Sequence, residues 1–417
     1  MPKKIKTAKS EVISLRDLDK PRFTGSQLVS VRRGARTSAI TSQAKNASIR
    51  MATSSDFKLK PERFISAFTD GDGIYFEKLG IAVINQERED GVRMLTLGAR
   101  SRSAFTHAEP ERYVYAFGKT SRAAASFADT AAQTWGLEAT KVIASKYTGK
   151  GVRLAVLDTG IDDKHPDFKG RGIVSQSFIL GEQVADGNGH GTHCAGVACG
   201  HVQTASGAPE PGQRYGVAHG AKLYVGKVLS NRGSGSDRNI LAGIQWALEN
   251  KCRIISMSLG AAAEVGDAYS TIYEDLAKEL LTNNTMIIAA AGNESDRPDR
   301  IAPIGHPANC PSIMAVAAID SALKVAYFSC GGTRAKGGTV DVAAPGVDVL
   351  SSVPRPQLYE LMNGTSMATP LVAGIAALMC QRYPKASAKQ IWNHVIRTAR
   401  ALRLAKRDGG SGLVIAP

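Results

Sequence analysis

From Gly151 onward, near-continuous apolar segments alternate with amphipathic ones, and this alternation constrains the fold more than any other feature of the sequence. The apolar segments have the length of buried strands and are Val152–Leu157, Ala221–Leu229, Arg253–Ser258, Met286–Ala291, Ile313–Ile319 and Thr339–Ala343. Helices are predicted from apolar periodicity after Ser236 and over Tyr269–Thr282, Thr365–Tyr383 and Ala388–Leu402. Strands that are apolar on both faces are typical of a parallel sheet covered by helices. The pattern therefore predicts an α/β protein whose active site lies at the carboxyl ends of the strands.

The part before this region differs in composition and is predicted to contain three further segments. Residues 1–55 are basic and polar without a sustained period, and we expect a disordered arm there. Residues 56–117 contain short strand-like segments, namely Arg63–Phe68, Gly80–Ile84, Val92–Leu97 and Tyr113–Phe117. They predict a small α/β domain, followed by a linker over 118–132 and the main domain over 133–417.

The basic arm carries most of the chain's excess positive charge. The formal charge is +15, and the first 50 residues hold twelve Lys or Arg against three Asp or Glu. Such an arm is either an electrostatic tether to nucleic acid or a solvated tail. We favour the tail, because no aromatic residue that could stack on bases occurs before Phe23.

No secretory signal or membrane span is recognised in the sequence. The longest apolar helical stretch, Leu371–Cys380, is shorter than the ~20 residues that cross a bilayer. We therefore expect a cytoplasmic protein, with leaderless export left open. The six cysteines show no paired metal-ligand spacing, so we expect buried free thiols.

Asp158 is the first candidate catalytic residue, because it ends an apolar strand in the stretch Leu157-Asp158-Thr159-Gly160. A carboxylate buried there needs a hydrogen-bonding partner. Aspartic peptidases use the same Asp-Thr-Gly tripeptide, but they need two copies and this chain has one. The alternative is a strand-end Asp that binds turn amides.

His190 and Ser366 each lie at a predicted helix start. His190 follows a glycine-rich loop, and His193 comes three residues later, where it could share a face with His190. A zinc site is disfavoured, because the His-Glu-x-x-His pattern is absent. Ser366 begins a helix before Pro370, where free amides favour a developing oxyanion, although a helix-capping serine is the commoner role. Asn293 follows the strand Met286–Ala291 and could donate to an oxyanion or simply form a turn.

Together these segments appear in the order Asp, His, Asn, Ser and resemble the subtilisin-like serine peptidases (subtilases). The resemblance covers roughly Thr134 to Pro417. Supporting stretches are Tyr147–Gly151, Tyr215–Ala218, Met257–Gly260 and Ala343–Gly346. It implies a three-layer subtilisin-like fold and a serine endopeptidase that acts on protein or peptide substrates.

By this resemblance, Asp158 orients His190, His190 is the general base and acid, Ser366 is the nucleophile, and Asn293 holds the oxyanion. The resemblance also implies a set of residues that bind the substrate backbone and line the main specificity pocket, namely Ser258, Leu259, Gly260, Ala290, Ala291, Gly292 and Gly305. No cofactor is needed for this chemistry.

Two further properties of the family concern calcium and a propeptide. Asp167 matches one ligand of the family's strong calcium site, but the loop His201–Arg214 lacks its asparagine-rich pattern, which argues against an ion there. Residues 56–117 resemble a degenerate form of the family's inhibitory propeptide, which also assists folding, and the stretch Ala108–Ala116 resembles its closing strand. The alternative is an unrelated accessory domain.

Two other functions are alternatives to an active peptidase. A catalytically silent subtilase fold could act as a binding module, but it has no chemical need of Asp158, His190, Asn293 and Ser366 together. A nucleic-acid-binding protein that uses its basic arm has only the charge in its favour.

Overall fold

The fold is described from a computed structural model, which covers residues 22–57, 71–85, 103–117, 127–206, 208–332 and 337–417. The strands are β1 Phe23–Val31, β2 Met51–Thr53, β3 Gly73–Phe76, β4 Ile81–Ile84, β5 Phe105–Ala116, β6 Arg153–Asp158, β7 Val174–Ser177, β8 Lys222–Lys227, β9 Ser234–Ser236, β10 Ile254–Met257, β11 Leu259–Gly260, β12 Met286–Ala290, β13 Met314–Ile319, β14 Val342–Pro345, β15 Val349–Ser352 and β16 Tyr359–Met362. The helices are α1 Thr37–Asn46, α2 Trp135–Ala139, α3 His190–Cys199, α4 Asp237–Glu249, α5 Thr271–Thr282, α6 Thr365–Arg382, α7 Ala388–Thr398 and α8 Lys406–Gly409.

A seven-stranded parallel sheet in the order β14-β13-β12-β10-β6-β8-β7 forms the centre of the larger region. Alternate residues of β6 point to opposite faces. Leu154 and Val156 join the core that contains α3, α6 and α7, whereas Ala155 and Leu157 join the core that contains α4 and α5. The helices therefore cover both faces, and the predicted three-layer α/β fold is confirmed.

Helix starts in this region follow local capping signals. Ser236 precedes α4 and forms a capping box with Asn239, as predicted, and Ser270 Oγ accepts a hydrogen bond from Tyr273 N at 3.1 Å before α5. The segment Thr339–Ala343 was placed slightly too early, because β14 spans Val342–Pro345. In the described part of the chain, no helix combines the length and the apolar character that a membrane crossing requires. All six cysteines are buried and unpaired.

The N-terminal sheet corrects one prediction. Residues 22–57 do not belong to a disordered arm over 1–55, because β1, α1 and β2 lie there. β1 occupies the middle of a sheet between β4 and β5, and Val29 and Ile40 are fully buried in the core between this sheet and α1. The sequence analysis missed these elements because the segment is rich in basic residues. Those side chains are mostly exposed, whereas the short apolar runs between them are buried. Residues 1–21 lie outside the described residues.

The remaining N-terminal strand predictions have mixed outcomes. Gly80–Ile84 contains β4, and Tyr113–Phe117 is the end of the longer strand β5. Arg63–Phe68 and Val92–Leu97 lie outside the described residues, as does most of the predicted linker. The strand β5 leaves the N-terminal sheet and continues between β9 and β11 of the larger region.

Candidate active site

Three of the predicted site residues lie at one edge of the parallel sheet. Asp158 ends β6, Ser258 follows β10, and Asn293 comes shortly after β12. These strands are neighbours and run in the same direction, so their carboxyl ends meet. The starts of α3 and α6 bring His190 and Ser366 to the same edge.

Asp158 and His190 form a buried hydrogen-bonded pair. Asp158 Oδ1 accepts from His190 Nδ1 at 2.7 Å and from the backbone N–H of Thr159 at 2.8 Å. The carboxylate is fully buried. Burial disfavours the imidazolium, but the Asp158 carboxylate outweighs it and raises the pKa of His190 well above its ordinary value.

The loop before His190 is held in place by Asp186, a residue to which the sequence analysis gave no role. Asp186 Oδ1 accepts hydrogen bonds from Thr159 Oγ1 and from the backbone N–H groups of Asn188 and Gly189. Its Oδ2 accepts from the N–H and hydroxyl of Thr192, both within α3. A single buried carboxylate thus ties the end of β6 to the start of α3. Its place in the stretch Asp186-Gly187-Asn188-Gly189-His190 was the available signal, since Asp is a common cap of helix starts.

His193 does not face the same partners as His190. Its Nε2 donates to the carbonyls of Val349 and Glu360, at 3.0 and 3.2 Å. Burial, and secondarily His190, lower the pKa of His193 to about 3, so its imidazole is neutral. Cys194 Sγ lies 3.8 Å from His190 Nδ1, and burial raises the pKa of this thiol.

Ser366 and Asn293 meet at the start of α6. Ser366 is fully buried, and its Oγ donates to the carbonyl of Ser258 at 3.0 Å. Asn293 Oδ1 accepts from the N–H and hydroxyl of Thr365, which turns the Asn293 Nδ2 group the other way. That Nδ2 is buried and has no hydrogen-bond partner among the described residues.

The free amide of Asn293 faces a small space at Gly364. A Cβ atom on Gly364 would lie 3.0 Å from both Asn293 Nδ2 and the Phe117 carbonyl oxygen, and 3.5 Å from Ser366 N. Glycine at this position therefore keeps a side chain away from both nitrogens, so that their N–H groups can donate to an acceptor oxygen. This is the arrangement that an oxyanion site needs.

An extended segment of the chain itself occupies the cleft beside these residues. The end of β5 pairs antiparallel with β11 on one side, through Tyr115 and Ala116, and with β9 on the other side. Phe117 follows, and its carbonyl oxygen lies 3.3 Å from His190 Nε2. Leu259 and Gly260 thus pair with an extended strand, as the resemblance implied for substrate.

The predicted pocket residues lie around the end of β12, and Gly260 on the neighbouring strand lies against Phe117. Gly305 N–H donates to the carbonyl of Ala291 at 3.0 Å, and Gly292 N–H donates to Thr365 Oγ1 at 3.2 Å. Ala290 ends β12, and a Cβ atom on Gly260 would lie 3.0 Å from the Phe117 ring. Small residues here leave space for a large side chain.

The second edge of the cleft, β9, was missed by the sequence analysis. Its residues Ser234–Ser236 pair with Tyr113–Tyr115 of β5. Three residues are too short for a period-2 pattern, and the one available signal was the Gly-Ser-Gly-Ser stretch before the cap of α4.

Asp167, the candidate calcium ligand, is surrounded by hydrogen-bond donors. Its Oδ1 accepts from the N–H and hydroxyl of Thr204, at 2.8 and 2.5 Å. Its Oδ2 accepts from the hydroxyls of Tyr215 and Tyr359, each at 2.8 Å. Both carboxylate oxygens therefore already have two partners.

Comparison with known proteins decides which family this arrangement belongs to. Residues 149–413, more than half of the chain, match the subtilase family. This chain belongs to the subtilase family. It is 39% identical over 267 residues to subtilisin DY from Bacillus licheniformis, an alignment that covers 64% of this chain and 90% of that protein. It is 39% identical over 258 residues to a subtilisin from Bacillus pumilus, covering 61% of this chain and 86% of the relative.

A further relative is the alkaline elastase YaB of a Bacillus strain, 41% identical over 269 residues and 64% of each chain. The protein is accordingly a serine endopeptidase of the subtilase type, with protein substrates. The family match begins at residue 149 and leaves the N-terminal sheet outside it.

Proposed function

We propose that this subtilase hydrolyses peptide bonds through an acyl-enzyme on Ser366. His190 Nε2 takes the proton as Ser366 Oγ attacks the scissile carbonyl carbon, and Asp158 holds the imidazole through Nδ1. The tetrahedral oxyanion accepts hydrogen bonds from Asn293 Nδ2 and the Ser366 N–H. The C–N bond then breaks, and His190 returns the proton to the leaving amine. A water molecule, deprotonated by His190, releases the acyl group and restores Ser366.

The observation that carries this proposal is the unpartnered Nδ2 of Asn293 beside Gly364. A buried amide donor without an acceptor costs about 1–3 kcal/mol, so its position needs a reason. An oxyanion that forms only during reaction supplies one.

Fluorophosphonate labelling followed by mass spectrometry tests the assignment. We expect a covalent adduct on Ser366 in the wild type and no adduct in His190→Ala, in which nothing activates the serine. A folded wild-type protein that stays unlabelled after residues 22–117 have been removed, by its own activity or by an added peptidase, would instead support the silent binding module.

We further propose that the N-terminal sheet is a propeptide that inhibits the enzyme and assists its folding. Both ring nitrogens of His190 face acceptor oxygens, of Asp158 and of Phe117, and this favours the imidazolium, which cannot accept the Ser366 proton. With β5 in the cleft, the site is therefore blocked and the protonated form of its base is favoured.

Two carboxylates of β5 favour this docking. Glu109 Oε1 accepts hydrogen bonds from the hydroxyl of Thr271 and from Ile272 N–H at the start of α5. Glu111, fully buried, accepts from the N–H of Arg238 at 3.0 Å and its Nε at 2.7 Å at the start of α4. Each carboxylate neutralises the positive end of a helix dipole.

The position of Phe117 makes the bond after it the cleavage point in this proposal. N-terminal sequencing of purified wild-type enzyme should then start at Gly118, whereas Ser366→Ala should keep the whole N-terminal region attached. An intact N-terminus in a fully active wild type would make residues 22–117 an accessory domain.

We also propose that Asp167 holds no calcium ion. Thr204, Tyr215 and Tyr359 present hydrogen atoms to the carboxylate, whereas calcium needs six to eight oxygen lone pairs directed at it. These donors do not fit the ion, and they already compensate the buried charge.

A further inference from the structure

The strand β5 makes one contact in the cleft that no backbone pairing explains. At Arg112 the strand leaves its pairing with β1, and the Arg112 N–H donates to Asp237 Oδ2 at 2.8 Å. Asp237 is the first residue of α4, directly after β9. Counted back from the bond after Phe117, Arg112 is the sixth residue.

Asp237 is built into the cleft rather than exposed on its rim. It is fully buried, and its second oxygen, Oδ1, accepts from His306 Nε2 at 3.0 Å. His306 is buried as well and belongs to the opposite edge, because it exchanges two backbone hydrogen bonds with Ala261 just after β11. The pair therefore connects the β9 edge of the cleft to the β11 edge.

The groups around this pair favour a charged carboxylate and a neutral imidazole. Burial raises the pKa of Asp237, but His306 and Arg112 outweigh burial and leave it below its ordinary value. Burial lowers the pKa of His306 despite the neighbouring Asp237. Tyr273 packs edge-on against His306 at 4.6 Å, and the more distant Glu109 and Glu111 face the same region from β5.

We propose that Asp237 forms a sixth subsite, in which its buried carboxylate accepts the backbone N–H of the residue six positions before the scissile bond. This inference rests on the proposed function, because it takes β5 as the mimic of a bound substrate. His306 is a positioning residue: it fixes the Asp237 carboxylate through Oδ1 and leaves Oδ2 for the substrate. The proposed contact is to a backbone group, so it extends the recognised length of the substrate, and a basic side chain in the sixth position adds its own attraction to the carboxylate.

The subsite predicts a preference for long substrates with a free N–H at that position. A hydrogen bond to a charged group contributes about 1.5–3 kcal/mol, which corresponds to about 10- to 100-fold in kcat/KM. A substrate without that N–H leaves the buried carboxylate short of a donor and loses this factor.

Three anilide substrates test the proposal. The enzyme that cleaves them is purified after expression of the full chain. The first is the acetylated hexapeptide Ala-Tyr-Val-Tyr-Ala-Phe, with alanine in the sixth position to remove any attraction of an arginine side chain. The second carries lactic acid in place of that alanine, so that an ester oxygen replaces only the N–H. The third is the acetylated tetrapeptide Val-Tyr-Ala-Phe, which does not reach Asp237.

In the wild type we expect the hexapeptide to exceed the lactyl analogue in kcat/KM by about 10- to 100-fold. In Asp237→Ala the ratio of the hexapeptide to its lactyl analogue should fall to about 1, and the tetrapeptide reports any general loss of activity in this variant, which the ratio cancels. Asp237→Asn keeps an acceptor without the charge and should give an intermediate ratio. His306→Ala should lower the ratio, and His306→Gln, whose amide can still donate, should restore part of it.

Equal rates for the hexapeptide and its lactyl analogue in the wild type would overturn the subsite without any variant. A ratio that stays high in Asp237→Ala would do the same. Failure of the proposed peptidase function would be distinguishable from failure of the subsite. In that case none of the three substrates would be cleaved, and Ser366 would not be labelled.

Discussion

The two sheets of this protein obtain their stability in different ways. The parallel sheet is covered by helices on both faces, and each face has its own core. The N-terminal sheet has a core of its own on one face only, against α1. Residues of its other face, such as Leu28, Phe76 and Val83, join the core that contains α4 and α5 of the peptidase region.

The N-terminal sheet therefore depends on the peptidase region to cover one of its faces, which is consistent with the inhibitor proposed above. Apolar surface on that face is exposed to water whenever the two regions separate, which costs roughly 25 cal/mol for each Å². The proposed catalytic residues Asp158, His190, Asn293 and Ser366, in contrast, all lie on the parallel sheet and its helices or in the loops that follow its strands.

The largest expected effect is a loss of catalysis that leaves docking of the N-terminal sheet intact. Ser366→Ala should lower kcat/KM on a peptide substrate by on the order of 10⁶, because the nucleophile is lost. The N-terminal sheet should still dock, since the hydrogen bond that Ser366 Oγ donates goes to the Ser258 carbonyl and not to that sheet. Steady-state kinetics and thermal unfolding measure the two properties, and unchanged turnover would place the nucleophile elsewhere.

Asn293→Ala should lower kcat by about 10²–10³, the range for loss of one oxyanion donor. KM should change little, because the Nδ2 group matters only when the oxyanion forms. Thr365 loses its acceptor in this variant, so Thr365→Val serves as the matched control for that contact. An effect confined to KM would contradict the oxyanion role.

Docking is tested by adding residues 22–117 to the processed enzyme as a competitive inhibitor. Glu111→Ala should raise the inhibition constant by on the order of 10², because it leaves Arg238 without its buried partner. Arg33→Ala is the matched control, since Arg33 and Glu279 form an ion pair across the same interface in which Arg33 is largely exposed. Exposed pairs contribute ~0–1 kcal/mol, so its effect should stay below about fivefold. Similar effects of the two variants would show that burial of Glu111 does not matter.

The same inhibition should weaken as the pH rises. In the docked state Asp158 outweighs burial and raises the pKa of His190 well above its ordinary value, and the Phe117 carbonyl oxygen lies 3.3 Å from His190 Nε2. A carbonyl oxygen can only accept a hydrogen bond, so we expect its arrival at Nε2 to raise the pKa of His190 above that of the free enzyme. The extra affinity is complete below the pKa of the free enzyme and is lost as the pH rises through the raised pKa of the complex. We expect up to about a tenfold change per pH unit in that window. A pH-independent inhibition constant would argue against the contact with Nε2.

The smallest expected effect concerns calcium in the peptidase region. Chelation with EDTA should leave the melting temperature unchanged if the Asp167 network replaces the ion. Tyr359→Phe should lower the melting temperature by a few degrees, because Asp167 loses a buried donor. Added calcium should not restore it, and Tyr383→Phe, away from this network, is the control. Calcium-dependent recovery would show that the position binds the ion.

Sequence periodicity predicted the parallel sheet and its helices well, because these elements depend on local signals. Buried strands such as Met286–Ala290 are apolar throughout, and Ser236 marks a helix start by chemistry within three residues. Asp158, His190, Asn293 and Ser366 could be proposed as site residues because each lies at or shortly after the end or start of a predicted element, in stretches that together resemble the family.

The sequence did not reveal what depends on contacts between distant segments. The strand β1 was taken as part of a disordered arm, because its nine residues become a strand only between β4 and β5. Glu111 and Arg238 are 127 residues apart, and Asp237 meets Arg112 across a similar separation. Composition and periodicity report on residues that are close in the sequence, whereas the cleft is formed by residues that are close only in the folded structure. Local sequence patterns were therefore sufficient to predict the fold of the peptidase region and to propose its site residues. Only the folded chain shows that β5 lies in the cleft against His190 and Asp237, because these contacts join segments that are far apart in the sequence.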